Sequence, residues 1–201
     1  MPRFSRAFYR LDPVTVARAL LGQRLVRVLD DGTRLAGVIV ETEAYLGEVD
    51  RAAHTFNGRR TPRNESMWRD GGHAYVYFTY GMHYCMNVVT ETAGRPTAVL
   101  LRALEPVEGL SLMRQSRGRS SGCDTDLCSG PAKLCQALRI DRTLDGTDLV
   151  TSDGLFIEQV RRRSLPGRSI ATTPRIGIAY AGEWADKPLR FHVAGHAHVS
   201  G

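Results

Sequence analysis

The chain has 201 residues, 42% of them hydrophobic, and a formal net charge of +6. This length and composition fit one globular domain with its own core and argue against a disordered or fibrous chain. No apolar run approaches the length of a membrane span, and the N-terminal MPRFSRAFYR lacks the apolar stretch of a signal peptide. A basic balance suggests nucleic acid, a membrane surface or an acidic partner, and charge alone does not choose among them.

Cysteine and histidine spacing gives little support for a metal site. The four cysteines are Cys85, Cys123, Cys128 and Cys135. None forms a C-x2-C pair, and without an export signal we expect reduced thiols, with a disulfide among the last three left open. We expect a cytoplasmic protein, associated with the nucleoid if it is bacterial. An H-x3-H-x-H pattern lies near the C-terminus, at His192, His196 and His198. A terminal position beside glycine is more typical of a polar tail, so we predict no metal and no cofactor.

The first half of the chain predicts a helix and a hairpin. Asp12 and Pro13 are typical of an N-cap followed by a first helical residue, and the helix should end at Gly22. Residues 22–29 and 33–45 alternate as two strands around an Asp-Asp-Gly turn. Residues 46–73 are polar and rich in glycine and arginine, and a loop of that length is usually functional or mobile.

The second half predicts a second hairpin over residues 74–89, with its turn near Tyr80 and Gly81, and then a strand over 97–104. A helix should start within EPVEGLSLMRQ with Pro106 in its first turn, and another within SGPAKLCQAL with Ser129 near its cap and Pro131 in its first turn. A basic loop over 117–126 separates them, and short strands follow Leu149. We predict a single α+β domain over residues 1–201, mostly an antiparallel curved β-sheet with flanking helices and a protruding β-hairpin.

Two carboxylates, Glu41 and Glu43, directly follow the apolar run VIV. Residues i and i+2 of a strand share a face, so both should point the same way. Either the chain surfaces there and the acids are solvated, or a carboxylate is held at the rim of a cleft. Arg102 lies inside the apolar run TAVLLRAL and either faces outward or forms a buried pair with Glu41 or Glu43.

Aromatic and basic side chains dominate the segment that follows. Tyr75 and Tyr77 share a strand face, where aromatics are usually core or half-core residues. Tyr80 falls at the predicted turn, a position that favours glycine, asparagine or aspartate. An exposed aromatic there suggests a group that wedges or stacks against bases. The long loop carries Arg51, Arg59, Arg60, Arg63 and Arg69. Such a loop either tracks phosphates or is simply solvated.

Seven sequence blocks together resemble the alkyladenine, or 3-methyladenine, DNA glycosylases of vertebrates and bacteria. The blocks are ARALLGQRLVR, VETEAYLGEVDRAAH, TPRNESM, YVYFTYGMHYCMN, LLRALEPVEGL, CSGPAKLCQAL and AGEWADKPLRF. They span nearly the whole chain in the family's order. The segment HTFNGRR and His83 depart from the commoner family pattern, which leaves the preferred lesion open more than the reaction.

The resemblance implies that a damaged purine is flipped out of double-stranded DNA and its N-glycosidic bond hydrolysed. Glu43 would activate water, and Arg102 and the backbone carbonyl of Ile176 would hold that water. Tyr80 would fill the gap left by the flipped base. The base pocket would comprise Tyr45, His54, Tyr77 and Asn87. Phosphates would contact Arg63 and Lys133.

The resemblance implies a class of lesions, namely 3-methyladenine, 7-methylguanine, hypoxanthine and ethenoadenine. Strand-cutting glycosylases use an amine nucleophile, and this chain has only Lys133 and Lys187, so we expect a monofunctional enzyme. We expect a monomer that acts on damaged double-stranded DNA and not on a membrane. Two alternatives stay open: a lesion-binding protein without catalysis, and a hydrolase of free nucleosides or sugars with Glu41 and Glu43 as paired acids.

Overall fold

The computed structural model describes residues 1–119 and 122–200. Its helices are α1 (Arg6–Tyr9), α2 (Pro13–Leu20), α3 (Leu110–Ser116) and α4 (Pro131–Ala137). Its strands are β1 (Arg24–Val28), β2 (Arg34–Tyr45), β3 (Ala74–Thr79), β4 (His83–Thr90), β5 (Thr97–Glu108), β6 (Leu155–Glu158), β7 (Ile170–Thr173) and β8 (Arg190–Val193). The predicted α+β class is confirmed.

All strand pairings are antiparallel, and the main order is β3-β4-β5-β2-β1-β6. The long strand β2 pairs with β5 along one edge, and its other edge is shared by β1 and then by β8, which carries β7. Register shifts interrupt β2–β5 pairing near Gly37 and Glu41, and bulges of this kind bend a sheet. The C-terminal part of β2 is therefore held between β5 and β8, where Glu43 is paired with Arg190.

The helices cover the apolar face of this sheet. In α2 the N-cap Asp12 accepts a hydrogen bond from the Thr15 N–H at 2.9 Å, as its sequence predicts. Val16, Ala17 and Leu20 of that helix are buried in the main core. The helix α4 begins with Pro131 in its first turn, also as predicted, and packs on β4 and β5.

The predicted helix start at Pro106 is wrong, because β5 continues through Glu108 and α3 begins at Leu110. Proline lacks an N–H and is tolerated where a strand is an edge. Pairing of β4 with β5 ends at Leu100, and beyond it a bridge joins Ala103 to Ser129, so at Pro106 only β2 lies beside β5. Gly109, with a φ of 76°, then turns the chain into the helix.

The remaining connections hold several short elements. The predicted loop 46–73 contains three 3-10 turns, Gly47–Val49, Phe56–Gly58 and Glu65–Trp68. The predicted basic loop 117–126 includes residues 120 and 121, which lie outside the described residues. All four cysteines are free, so the disulfide left open by the sequence is not formed. Over residues 1–119 and 122–200, no helix has the length and apolar character needed to span a bilayer.

Candidate active site

A cavity of about 310 Å³ opens where the end of β2, the hairpin β3–β4 and the segment 176–180 meet. This volume is at the lower end of ligand pockets, roughly 300 to 1,000 Å³. Its wall is rich in aromatic rings, and it also contains polar and charged groups from β4 and β5. The aromatic lining residues are Tyr45, His54, Tyr75, Tyr77, Tyr80 and Tyr180. A flat ring is the ligand shape that such walls fit best.

Glu43 lies behind this wall, with no exposed surface. Its Oε1 accepts a hydrogen bond from the Ile176 N–H at 2.8 Å, and its Oε2 accepts one from the Tyr45 hydroxyl at 2.9 Å. The Arg102 guanidinium lies 3.2 Å from Oε1. All three partners line the cavity. The carboxylate thus lies directly behind the cavity wall, and the alternative of a solvated strand end is excluded.

The environment of Glu43 makes its carboxyl more basic than usual. Burial raises the pKa of Glu43, and the nearby Glu41 charge adds to that effect. The Arg102 charge and the hydrogen bonds from Ile176 and Tyr45 oppose it without cancelling it. A carboxylate with a raised pKa is a better proton acceptor near neutral pH.

Arg102 forms the buried pair that its position in an apolar strand required. Its Nε donates to Glu41 Oε1 at 2.8 Å, and its Nη1 contacts Glu43. Both carboxylates therefore point to one guanidinium, as strand periodicity predicts. Burial alone would raise the pKa of Glu41, but hydrogen bonds from Ser200 and Arg190 and the Arg102 charge hold that pKa below its usual range.

Ile176 contributes backbone groups at the cavity wall. Its N–H donates to Glu43, a contact that the sequence did not predict. Its carbonyl accepts no hydrogen bond from the residues that the structure describes. The carbonyl is therefore able to accept a hydrogen bond from a water molecule or a ligand. Whether it holds the water predicted above stays a prediction.

The four predicted base-pocket residues all line the cavity: Tyr45, His54, Tyr77 and Asn87. His54 packs edge-on against Tyr77, with ring centroids 4.6 Å apart, and Tyr77 stacks on Tyr75 at 5.3 Å. The Asn87 amide is buried and donates to the Tyr75 carbonyl at 3.2 Å, so its direction is fixed. The pocket is thus built largely before any ligand binds.

His54 is held neutral in this arrangement. Burial of its ring nitrogens lowers the pKa of His54 to about 4, and the charges of Arg63 and Arg59 act in the same direction. The residue as a whole is exposed, so solvent screens part of these effects. The imidazole Nδ1 lies 2.8 Å from the Tyr75 hydroxyl.

Tyr80 is at the tip of the hairpin, as predicted, and is 84% exposed. Its φ of 50° is in the left-handed region, which is unusual for a large side chain. Strain of this kind is retained mainly at functional positions. The ring nevertheless borders the cavity.

The two predicted phosphate ligands differ in their surroundings. Arg63 is exposed, donates one hydrogen bond to the Phe78 carbonyl at 2.6 Å, and has its guanidinium 5.8 Å from the Tyr77 ring. Lys133 is half-buried and forms an ion pair with Asp126. Arg63 therefore remains available to an anion, whereas Lys133 must exchange its partner to bind one.

Sequence reasoning missed a second buried ion pair beside the cavity. Arg175 makes two hydrogen bonds to Asp50, at 2.6 and 2.9 Å, and both side chains have no exposed surface. The guanidinium lies 4.6 Å from the Tyr45 ring. A charged residue directly after Pro174 and before the cavity-lining Ile176 is the only signal for it in the sequence.

The C-terminal histidines do not gather around a common point with acidic residues. His196 lies 3.3 Å from Glu105, and its ring packs near that of His198 at 5.5 Å. In the described part of the chain, no group of three or more histidine, cysteine, aspartate or glutamate side chains is placed to hold a metal ion.

Together, the bent antiparallel sheet, the aromatic cavity and the buried Glu43–Arg102 pair at its wall make a site with room for a flat ring beside the exposed Tyr80. The model of the methylpurine-DNA glycosylase family matches residues 7–197. The chain belongs to that family.

Individual relatives agree with this assignment. A Mus musculus DNA-3-methyladenine glycosylase is 52% identical over 206 residues, which cover 98% of this chain and 61% of the mouse protein. The Homo sapiens DNA-3-methyladenine glycosylase is 48% identical over 100% of this chain and 68% of its own length. A Desulfitobacterium hafniense protein, provisionally named a 3-methyladenine DNA glycosylase, is 47% identical over 100% of this chain and 99% of its own.

Proposed function

We propose that the protein is a monofunctional DNA glycosylase of base excision repair. It flips alkylated or deaminated purines out of double-stranded DNA and hydrolyses their N-glycosidic bond. The observation that carries the proposal is Glu43, a buried carboxylate whose hydrogen-bond partners all line an aromatic cavity. The names of the mouse and human relatives point to the same reaction.

Recognition of the base rests on the rings of the cavity. N-alkylated purines such as 3-methyladenine carry positive charge, which is attracted to the faces of Tyr45 and Tyr77. His54 is neutral and therefore does not repel a cationic base. The fixed amide of Asn87 narrows the cavity where the exocyclic amino group of normal guanine would enter. Extrusion from the duplex costs a few kcal/mol, and Tyr80 offsets part of it by stacking in the gap.

Hydrolysis needs a water molecule between the carboxylate and the sugar. Glu43 accepts its proton, and Arg102 with the carbonyl of Ile176 orients it. The bond between the sugar and the base breaks, and the developing oxocarbenium charge is stabilised by the Glu43 carboxylate. The products are the free base and an abasic site.

The placement of the two lysines supports a monofunctional reaction. Lys133 pairs with Asp126, and the Lys187 ammonium lies 3.3 Å from the centre of the Trp184 ring. Neither lysine lines the cavity. Formation of a Schiff base with the sugar requires an amine that reaches it.

The nucleoside-hydrolase alternative is disfavoured by Glu41. Its carboxylate has no exposed surface, accepts hydrogen bonds from Arg102, Arg190 and Ser200, and does not line the cavity. Glu43 is also buried behind the lining, but Tyr45, Ile176 and Arg102, which contact it, all line the cavity. Among the partners of Glu41 only Arg102 does so, which disfavours a pair of equivalent acids. The lesion-binding alternative predicts no base release by wild type. It is tested by comparing release by wild type with release by a Glu43 variant.

The experiment measures base release from labelled duplexes that carry one hypoxanthine or one ethenoadenine, and from methylated DNA. We expect wild type to produce strand breaks only after alkali, which cleaves abasic sites. Glu43→Gln should reduce release at least about 100-fold, because it removes the proton acceptor. Glu183→Gln, at an exposed site outside the cavity lining, is the matched control and should retain full activity.

Tight binding of lesion DNA without release from any substrate would favour the lesion-binding protein. Strand cleavage without alkali would contradict a monofunctional reaction. Full activity in Glu43→Gln would move the catalytic role to another residue.

A further inference from the structure

Glu41 accepts four hydrogen bonds close to the cavity, although it does not line the cavity itself. Its Oε1 accepts from Arg102 Nε at 2.8 Å, from Arg190 Nε at 2.6 Å and from the Ser200 hydroxyl at 2.9 Å. Its Oε2 accepts from the Ser200 N–H at 2.7 Å. A fully buried acid with four donors fixes every group that it contacts.

Arg102 is the group through which Glu41 reaches the reaction. Nε of Arg102 is bound to Glu41, Nη1 faces Glu43, and Nη2 donates to the Ser200 hydroxyl at 3.2 Å. All three nitrogens of the guanidinium are therefore directed by this cluster. The plane of the guanidinium, which lines the cavity, is set by Glu41 and Ser200 and not by Glu43 alone.

Four charges make up the cluster, and they balance. Arg102 and Arg190 supply two positive charges, and Glu41 and Glu43 supply two negative charges. The strand β8 places Arg190 opposite Glu43 in register, but its guanidinium binds Glu41. Removal of the charge of Glu41 or of Arg190 leaves an uncompensated charge next to Glu43, in a buried region where charges interact strongly.

We propose that Glu41 is a positioning residue of the reaction, which, with Arg190 and Ser200, orients the Arg102 guanidinium and balances its charge beside Glu43. The inference rests on the proposed function and deepens it. It gives Glu41 a role that is distinct from proton transfer, and it gives the segment that carries Ser200 a part in the site.

The charges of this cluster should affect the protonation of Glu43. Apart from Arg102 and Glu41, the groups that face Glu43 carry no charge near neutral pH. The groups that face it are Tyr45 on β2, Tyr77 on β3, Cys85 on β4, Arg102 on β5 and the Ile176 N–H, with Glu41 beyond Arg102. Burial raises the pKa of Tyr45, Tyr77 and Cys85, so each stays protonated. Arg102, Arg190 and Glu41 are therefore the charged groups of this cluster whose replacement should change the protonation of Glu43.

The experiment compares Glu41→Gln with Arg190→Gln in single-turnover base release from a hypoxanthine duplex across a range of pH. Activity requires ionised Glu43, so the rate falls on the acid side. Glu41→Gln removes a neighbouring negative charge and frees Arg102 for Glu43, so the acid limb of the pH–rate profile should move to lower pH. The maximal rate should fall, because Arg102 is no longer held in position. Arg190→Gln removes a positive charge, so the limb should move to higher pH.

Ser200→Ala is the matched control, because it removes hydrogen bonds and leaves all four charges in place. The acid limb of its pH–rate profile should coincide with that of wild type, even if its maximal rate is lower. General loosening of the fold would lower all rates and would not move the two limbs in opposite directions. If Glu41→Gln does not fold, the shift in Arg190→Gln alone carries the test, because the Arg190 side chain is 13% exposed, whereas that of Glu41 has no exposed surface.

Opposite shifts would establish the role of Glu41. Shifts in the same direction, or limbs that coincide with wild type in both variants, would overturn it. If wild type releases no base, the proposed function fails, and the same variants are then compared by carbon-13 NMR titration of the glutamate carboxyl groups. Unchanged titration of Glu43 in Glu41→Gln and in Arg190→Gln would overturn the inference independently of activity.

Discussion

Asp50 and Arg175 form a buried ion pair, and the Arg175 guanidinium packs against the Tyr45 ring. Besides Arg175, the Asp50 carboxylate accepts hydrogen bonds from the Leu46 and Ala52 N–H groups, at 3.0 Å each. Removing one partner of a buried pair leaves the other charge unpaired and costs about 3–5 kcal/mol. We expect Asp50→Asn to lower the free energy of unfolding by about that amount, measured by urea denaturation.

An exposed pair provides the comparison. Arg3 lies 3.0 Å from Asp153, whose side chain is 97% exposed, and such pairs contribute about 1 kcal/mol or less. Asp153→Asn should therefore leave the urea midpoint almost unchanged. Equal losses in the two variants would mean that the burial of Asp50 is not what makes its pair important.

Single residues differ in how far the sequence predicts their roles. The pairing of Arg102 with Glu41 and Glu43 follows from a charge in an apolar strand, because a buried charge needs a partner. The pair of Asp50 and Arg175 does not follow, since the residues are 125 positions apart and both lie outside the strands. Only the folded chain brings them together beneath Tyr45.

The hairpin β3–β4 presents Tyr80 in a left-handed conformation that glycine adopts without strain. Tyr80→Gly should change the free energy of unfolding by less than about 1 kcal/mol, because relief of strain offsets the greater flexibility of the unfolded chain. Stacking on a base contributes about 1–3 kcal/mol, so excision from duplex DNA should slow by roughly 5- to 150-fold. Single-turnover kinetics and thermal unfolding measure the two effects.

Met82 lies in the same turn and is 69% exposed, but it does not line the cavity. Met82→Ala should therefore retain most of the duplex activity. A Tyr80→Gly variant as active as wild type would remove Tyr80 from the role of wedge.

Elements were predictable where the local signal agrees with the packing. The helix α2 has its N-cap and proline, and the turn of the hairpin falls where the alternation of strand residues stops. The proline at position 106 gave a misleading signal, because the one-sided pairing of β5 depends on where β4 ends. That boundary is a property of the sheet and not of the segment itself.

At the scale of the whole molecule, the net charge is +6, but not all of the arginines are free to contact DNA. Within the loop 46–73, Arg60 pairs with Glu65, whereas Arg63 and Arg69 each donate one hydrogen bond to a backbone carbonyl. Arg51, Arg59, Arg63 and Arg69 are exposed and form no ion pair with the described residues. The sequence showed five loop arginines as equivalent, and the folded structure separates one that is paired with a carboxylate from four that are available.

These four arginines determine how binding to duplex DNA should respond to salt. Each phosphate that is neutralised contributes about −0.9 to the slope of log K against log salt, so four contacts predict a slope of roughly −3.6. Arg59→Ala should make the slope less steep by about one, whereas Arg60→Ala should change it less, because Glu65 already occupies that guanidinium. Fluorescence anisotropy of a labelled duplex over a salt series measures both. An affinity that does not change with salt would exclude phosphate contacts as the basis of binding.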